Sequence, residues 1–536
     1  MSFYVTTPIY YVNAAPHLGH AYSSIAADIL ARHMRQRGED VFMQTGTDEH
    51  GEPVAHAAER EGIEPRELAD RNARRFRELM PLVGVAEDFF IRTSDPQHIA
   101  RVQEIIQRVH ENGHVYKGVY EGWYCPRCAD FKTASELGEG NTCPIHEIPL
   151  EREREENWFF RLSTFQEGLE RLYAERPDFV RPDFRRNEAL AFIRGGLQDV
   201  SLSRPGLSWG VPLPWDPDQV MYVWFDALLN YVTGPAYARE GEDLTERFWP
   251  ADWHILAKDI LKFHAVIWPA LLIAADLEPP RRMFIHGYLL MGEKKMSKSL
   301  GNVLDPFEVI DRFGADALRF YCFREVSFGQ DGSISPAGFE SRYETELAND
   351  WGNLASRTLA MVKRYRGGVV PEAAPDPALR EGPDAIDGVE ASVAELLDDA
   401  EITQALEAIW SRVRRLNRYV EETRPWELAK AESEGGHEPD RPRTRSGAGD
   451  RPVVGAGDRP VVDRRGELDV ALYSLTEGVR VLALALMPFM PETSGRLLDA
   501  LGEHDRGLAA FGSRGGGARV ERIAPLFPKM EQASSG

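Results

Sequence analysis

Residues 3–34, FYVTTPIYYVNAAPHLGHAYSSIAADILARHM, run an apolar strand into a corner carrying Pro16 and Gly19. The chain leaves that corner with Ile25, Ile29, Leu30 and Met34 at the spacing of a helix face. DVFMQTGTDEHG (40–51) follows, a short apolar strand ending in a polar, glycine-bearing turn. Strand, helix, strand in so short a span is the unit of a parallel sheet, with ligand loops at the carboxyl ends of the strands. The corner has two readings on its own residues. Pro16 and Gly19 shape a strand-to-helix turn, or the turn holds His17 and His20 beside something anionic.

The rest of the chain organises around that unit. Residues 63–112 read as largely helical, and 115–215 as an insertion of short aromatic-rich strands, cysteines and charges. Strand and helix patterns resume at QVMYVWFDALLNYV and WHILAKDILKFHAVIWPALLIAADL. Beyond about 346 the chain reads as helices, including ITQALEAIWSRVRRLNRYVEET and ALYSLTEGVRVLALALMPFM. Between those helices GAGDRPVV occurs twice in a row, at 447–454 and 455–462, and reads as a disordered surface loop without function. A chain of 536 residues needs more than one core, three or four domains at roughly 100–200 residues each.

No run of about 18 apolar residues exists, so no membrane span is expected. MSFYVTTPIYY lacks a basic region followed by an apolar stretch and a cleavage site. It reads as the first core strand rather than a signal peptide, which makes the cytoplasm the expected compartment. The formal charge, 63 − 85 = −22, excludes nonspecific capture of nucleic acid by the whole surface. An RNA partner has to meet local basic patches. Arg412, Arg414, Arg415 and Arg418 are one candidate, with a solvated helix face as the equal alternative.

Three of the four cysteines fall within CPRCADFKTASELGEGNTCPIH (125–146). Cys125 and Cys128, then Cys143 and His146, are two pairs each separated by two residues. Two such turns facing each other supply the four ligands of a closed tetrahedral site, the geometry of structural zinc, one ion per chain. A catalytic zinc keeps a position open, and four ligands argue against that. Cys322, in LRFYCFREV, reads as a small core residue. GEKKMSKSLGN (292–302) carries three lysines and two serines between glycines, a cationic loop suited to closing over polyphosphate. A histidine pair at a helix start and a lysine-rich loop complement each other around one triphosphate. The helix N-terminus gives amide donors and partial positive charge, and the lysines supply point charges.

HLGH at 17–20 together with KMSKS at 295–299 resembles the paired signature of class I aminoacyl-tRNA synthetases. TTPIYYVNAAPHLGH, GTDEHG, YVWFDALLNY and KDILKFHAVIWPA narrow the resemblance to the methionyl-tRNA synthetase family, over about residues 4–430. The resemblance implies ATP-dependent activation of L-methionine to methionyl-adenylate. Transfer to tRNA(Met) follows, for initiation and elongation of translation, and Mg2+ accompanies ATP. It implies that His17, Gly19, His20, Lys295 and Lys298 bind ATP, with the two histidines and two lysines as the catalytic set. It places Ile9, Tyr11, Trp224, Ala227, Leu228, Tyr231, Ile260, His264 and Trp268 around methionine, with Asp48 on the substrate ammonium. Aromatic walls suit a thioether independently of any family.

In the helical half, NDWGNLASRTLA and EETRPWELAK resemble the family's anticodon-reading elements, carried by Asn353, Arg357 and Trp426. Loop bases are read by stacking and by polar side chains on exposed edges. A nucleotidyltransferase without tRNA has no use for such a bundle, and an inactive paralogue is expected to have lost part of HLGH or KMSKS. The insertion is too short for a separate hydrolytic editing domain.

The expected architecture is an α/β Rossmann-type catalytic domain (1–114 and 216–290) split by a connective insertion with a zinc knuckle (115–215). A KMSKS-loop linking module (291–345) follows, then an all-α anticodon-binding bundle (346–520, loop about 436–466) and a C-terminal tail (521–536). PLFPKMEQ resembles the end of the core in shorter members without a C-terminal tRNA-binding barrel, so a monomer is expected.

Overall fold

Strand β1 (Ser2–Tyr11) is buried without interruption from Phe3 to Pro8. That is the burial of a strand covered on both faces, and it explains the continuous apolar run. Helix α1 (Leu18–Gln36) leads to strand β2 (Asp40–Asp48), which pairs with β1 in parallel. Four more strands complete the sheet: β3 (Phe89–Arg92), β4 (Val180–Arg181), β5 (Trp253–Ala257) and β6 (Arg282–His286). Their order is β3-β2-β1-β5-β6-β4, and every pair is parallel.

The computed structural model describes residues 2–125, 130–132, 136–145, 147–291, 306–435 and 464–530, which form two compact units, Met1–Pro336 and Ala337–Gly536. Lys295, Lys298, Cys128, His146 and the duplicated GAGDRPVV lie outside the described residues.

Three features of the first unit differ from the pattern in the sequence. The stretch 63–112 is broken by β3, because FFIR is too short for its strand character to stand out between two helices. The stretch 115–215 contains a long antiparallel pair, Val115–Cys125 with Glu151–Phe160, but also helices Gln166–Glu175 and Asp183–Arg194 and the edge strand β4. Helix α1 is buried on every side from Ala21 to Ala31, where one apolar face was expected. Three of its polar residues have partners, Ser23 Oγ with His286 Nε2 (2.8 Å), Ser24 Oγ with Tyr10 (2.8 Å), and Asp28 with Arg319 (2.6 Å), while the buried Tyr22 hydroxyl has no hydrogen-bond partner among the described residues. Cys322 is fully buried, as expected for a core residue, and burial pushes its thiol up to about 12.

The second unit is helical: Asn353–Arg366, Val389–Asp398, Ile402–Thr423, Pro425–Gly435, Arg464–Leu486 and Pro491–Ala500. Helix Ile402–Thr423 buries Ile402, Leu406, Ile409, Val413, Leu416 and Val420, the i, i+3, i+4 stripe of an amphipathic helix. The last described segment packs back on this unit, with Leu526 and Phe527 buried and Tyr343 donating to the Pro528 carbonyl (2.9 Å). Among the described residues no helix is long and apolar enough to cross a membrane.

Candidate functional site

The strand order reverses direction between β1 and β5. Successive crossovers run outward one way through β2 and β3, and the other way through β6. Such a switch point opens a crevice beyond the carboxyl ends of the two strands, because the loops leaving them diverge. Here β1 pairs with β5 only at Val5 and Thr6, then shifts register against β2 between Thr6 and Ile9. The shifted end sets Ile9 opposite Gly46 and Tyr11 opposite Asp48. Gly46 is required there, since a Cβ would lie 2.1 Å from the Ile91 carbonyl oxygen of β3.

The corner after β1 delivers the two histidines to this crevice. His17 is the N-cap of α1, with extended backbone, and its Nδ1 accepts the Gly19 N–H at 3.1 Å. His20 Nδ1 accepts the His17 N–H, also at 3.1 Å. The rings stack at 3.7 Å between centroids, and His20 rests against Tyr10 and Phe76. Both δ nitrogens accept, so each proton sits on Nε2 and both rings are neutral. Burial, reinforced by His17, lowers His20 to about 3, and partial burial lowers His17 as well. The corner therefore offers imidazole N–H donors beside the first amides of a helix, an arrangement suited to phosphate oxygens. Gly19 has a local reason too, because a Cβ would sit 3.0 Å from the His17 ring.

Aromatic residues line the neighbouring ends of helix α3 (Val223–Tyr237) and the segment after β5; α2 is Pro96–Glu111. Trp224 stands edge-on to Tyr11 (6.2 Å) and to His264 (6.3 Å), and Tyr231 lies against Trp268 (5.8 Å). Ala227 and Leu228 are buried one turn along α3, and Ile260 and Ile9 are half-buried. His264 lies on a π-helical turn, Phe263–Ile267, a widening that recurs at functional sites. Its Nδ1–H donates to the Ile260 carbonyl (3.0 Å), so Nε2 accepts the Tyr231 hydroxyl (2.8 Å). Burial holds His264 down at about 4, keeping the wall neutral. Trp268 is fully buried behind Tyr231, with its indole N–H on His254 Nε2 (3.3 Å). Seven of the nine expected pocket residues, Tyr11, Trp224, Leu228, Tyr231, Ile260, His264 and Trp268, thus share one packed cluster or its ring and hydrogen-bond contacts.

Asp48 is 2% exposed, and its Oδ1 has no hydrogen-bond partner among the described residues. Burial first, then the charges of Asp226 and Glu49, hold its carboxyl well above the usual carboxylate range. A buried acceptor without a donor is expensive unless a ligand completes it. Glu49 beside it is fully satisfied by Arg92 (2.6 Å), Thr47 (2.8 Å) and Ser94.

Several residues of this region escaped the sequence. Phe263 stacks on Trp224 at 3.9 Å with ring planes 7° apart. His254 accepts from Trp268, and its Nδ1–H donates to Thr6 Oγ1 at 2.7 Å. Asp226 is bracketed by His50 and His98. Phe263, Asp226 and His50 were inside quoted motifs, but nothing in one dimension separates them from core residues. His98, more than a hundred residues from Asp226, left no signal at all.

Of the zinc set, Cys125 and Cys143 are buried together in one small cluster with Leu150. Cys143 opens a tight turn in which Glu147 N–H returns to its carbonyl at 2.8 Å. Two thiols, one at the end of a strand and one opening a turn, share one buried cluster, which fits two of the donors of a four-ligand site. Among the described residues no group of three or more potential ligands occurs, Cys128 and His146 being outside them.

In the helical unit, Arg357 lies 5.6 Å from the centre of the Trp426 ring and 3.1 Å from Glu421. Trp426 is 37% exposed, and Asn353 is exposed one turn before Arg357 on the same helix. A π-helical turn, Tyr343–Gly352, leads into Asn353, and Arg424 at φ 45° turns the chain into the helix that carries Trp426. The four arginines of the basic stretch all have partners within the unit. Arg412 reaches Ala385 O, Arg414 Glu407, Arg415 Glu422 and Arg418 Asp384.

The family model for class I tRNA synthetases (M) matches residues 3–150 and 139–359. A methionine–tRNA ligase of Streptomyces coelicolor is 42% identical over 556 residues, covering 99% of this chain and 97% of that protein. One from Caldanaerobacter subterraneus subsp. tengcongensis is 40% identical over 537 residues, covering 99% and 79%. The Mycobacterium tuberculosis methionyl-tRNA synthetase in complex with methionyl-adenylate superposes with a TM-score of 0.88 at 40% identity, covering 98% of this chain and 99% of that one. Its apo form gives 0.82 at 36% identity, covering 99% and 98%.

Proposed function

This chain belongs to the methionine–tRNA ligase family of class I tRNA synthetases, and from that membership we propose a division of labour among its residues. The reaction is activation of L-methionine by ATP and transfer of the methionyl group to tRNA(Met). In the first step the methionine carboxylate attacks the α-phosphorus in line. A carboxylate–phosphate anhydride forms, and the bond to pyrophosphate breaks. In the second step a ribose hydroxyl at the tRNA end attacks the carbonyl, its proton is lost, and AMP leaves.

The chain contributes position and charge rather than covalent chemistry. His17 and His20 donate Nε2–H to phosphate oxygens at the amino end of α1. Lys295 and Lys298 neutralise the departing pyrophosphate, and Mg2+ enters with ATP. Asp48 takes the substrate ammonium, while Tyr11, Trp224, Tyr231 and His264 enclose the thioether, backed by Ile9, Ala227, Leu228, Ile260 and Trp268. An apolar pocket separates side chains differing by one methylene by only about 1–3 kcal/mol, so binding by the pocket alone discriminates modestly against close homologues of methionine.

Cys125, Cys128, Cys143 and His146 are the residues that would hold one zinc ion, which supplies a structural cross-link and no reaction step. Asn353, Arg357 and Trp426 read the anticodon: an exposed indole beside a guanidinium is a stacking surface for a loop base. We place the protein in the cytoplasm, where the tRNA and nucleotide of translation are, and propose that it acts as a monomer, as its resemblance to the shorter family members implies.

The observation that carries the reading is the pairing at the end of β1 and β2. An aromatic wall and a buried carboxylate with an unused oxygen stand side by side at the switch point, next to the histidine corner. Pyrophosphate exchange into ATP across a panel of amino acids, without tRNA, tests it. Exchange driven by methionine above all others is expected. Exchange led by another amino acid would discard the pocket, and none at all would discard the site.

A further inference from the structure

We propose that Asp226 is a positioning residue for the ammonium subsite. Clamped by His50 and His98, it fixes the turn that carries Asp48 and adds a second buried negative charge to the field the substrate ammonium enters. The proposal rests on the reading of Asp48 as the ammonium partner.

Asp226 is 1% exposed and stands on α3 between two pocket residues, Trp224 and Ala227. Both of its oxygens are engaged: His50 Nδ1–H donates to Oδ2 at 2.6 Å and His98 Nε2–H to Oδ1 at 2.9 Å. His98, on α2, is braced by Thr233 Oγ1 at 2.7 Å, two turns further along α3 from Asp226. His50 is two residues past Asp48, and the turn between them is tied down on its other side. Gly51 N–H donates to the Trp209 carbonyl (3.1 Å), and the Trp209 indole N–H donates to the Glu49 carbonyl. Gly51 holds φ at 89°, with the place of a Cβ 3.0 Å from Val223. The turn is therefore gripped by α3 through Asp226 and by the 209 loop through Trp209.

The electrostatics follow from the same contacts. Burial alone would neutralise Asp226, but the two histidines acting against it bring the carboxyl down to about 2, so it carries its charge. The groups facing Asp48 are Asp226 and Tyr231 from α3 and Glu49 and His50 from its own turn, with Arg92 of β3 taking the charge of Glu49. Asp48 is a buried carboxyl with one oxygen that accepts no hydrogen bond among the described residues, beside the buried charge of Asp226, so the site favours an incoming cation. An ammonium on Asp48 completes it, and Asp226 has no other evident use, since both its oxygens are spent on the clamp.

Asp226 then acts in two opposed ways, which gives a signature that a purely structural residue lacks. Where Asp48 is ionised, the charge of Asp226 favours the ammonium; where Asp48 is protonated, the same charge holds the proton and disfavours binding. In Asp226→Asn the methionine KM, measured by pyrophosphate exchange over a series of pH values, should therefore exceed wild type most at the alkaline end, on the order of tenfold, the equivalent of one pKa unit. The ratio should shrink steadily toward the acid end, while the KM for ATP stays unchanged. Asp226→Ser, which leaves space for water beside both histidines, is a second neutral variant with the same expectation. Asp226→Glu, which keeps the charge, should retain the wild-type pH profile. A ratio independent of pH, or equal changes in both KM values, would overturn the proposal. Asp48→Asn separates the two levels. If it leaves the methionine KM unaltered, the ammonium reading itself is wrong. If it raises KM while the Asp226 ratio is flat, only the role of Asp226 is refuted.

Discussion

Substituting His264 with Gln should change how the stability of the first unit responds to acid, by an amount that follows from its surroundings. His264 is 3% exposed, donates to the Ile260 carbonyl and accepts from Tyr231, and burial lowers it to about 4. In the unfolded chain the same imidazole titrates near 6.5. Between those values the unfolded protein binds a proton that the folded protein refuses. The stability His264 contributes is therefore complete above about pH 6.5 and is lost as the pH falls toward 4. The slope is about 1.4 kcal/mol per pH unit, which amounts to about 2 kcal/mol by pH 5.

His264→Gln should be less stable than wild type at pH 7.5 by roughly 1–3 kcal/mol, the cost of leaving Tyr231 or the Ile260 carbonyl poorly paired. It cannot lose stability by protonation at this site. The gap between the two proteins should accordingly narrow by about 2 kcal/mol between pH 7 and pH 5. Urea unfolding followed by tryptophan emission, repeated at half-unit steps of pH, measures it. The difference between the two proteins matters more than either curve, because His286, lowered to about 4 by burial, titrates in the same region and cancels in the comparison. A gap that stays constant across this range would show that His264 is not held neutral by burial, and the description of the pocket wall as uncharged would fall with it.

Three other outcomes are expected. Trp426→Ala should lower aminoacylation of tRNA(Met) by roughly 5- to 150-fold, at ~1–3 kcal/mol per stacked base, and leave pyrophosphate exchange intact; equal loss in both reactions would remove Trp426 from the anticodon site. Lys298→Ala should depress the rate of adenylate formation by a factor on the order of 10²–10³, as for other donors to developing charge, with little change in the methionine KM. An effect confined to methionine binding would sink that assignment. Metal analysis of the purified protein should find one zinc per chain, lost in Cys125→Ser and Cys143→Ser with a fall in stability of the insertion. Full zinc retention in both variants would refute the ligand set.

The order of elements in the catalytic unit was readable because local chemistry demanded it. A ten-residue apolar strand, a Pro–Gly corner and a helix permit little other than a parallel crossover, and the corner had to present whatever it carried at a strand's carboxyl end. The cysteine pairing is a pattern of the same local kind, two residues apart within one turn, and of its four members Cys125 and Cys143 are described, buried in one cluster. Trp426 and Arg357 were legible only through resemblance. Their approach depends on a helix packing that no local rule determines.

What tertiary structure alone decided is long-range and mostly polar. Helix α1 could be buried on all sides only because Asp28 meets Arg319, 291 residues away, and Ser23 meets His286. The basic stretch at 412–418 became a set of internal contacts once Asp384, Glu407 and Glu422 were placed beside it. The tautomers of His17, His20, His254 and His264 were set by the partners that each δ or ε nitrogen found. The sequence by itself determined which residues could do the chemistry, through spacing within a single turn or strand. Their protonation states, and the clamp that places Asp226 behind Asp48, belong to the folded chain, because a charge or hydrogen bond in a dry interior is governed by neighbours that only the packing brings within 3 Å.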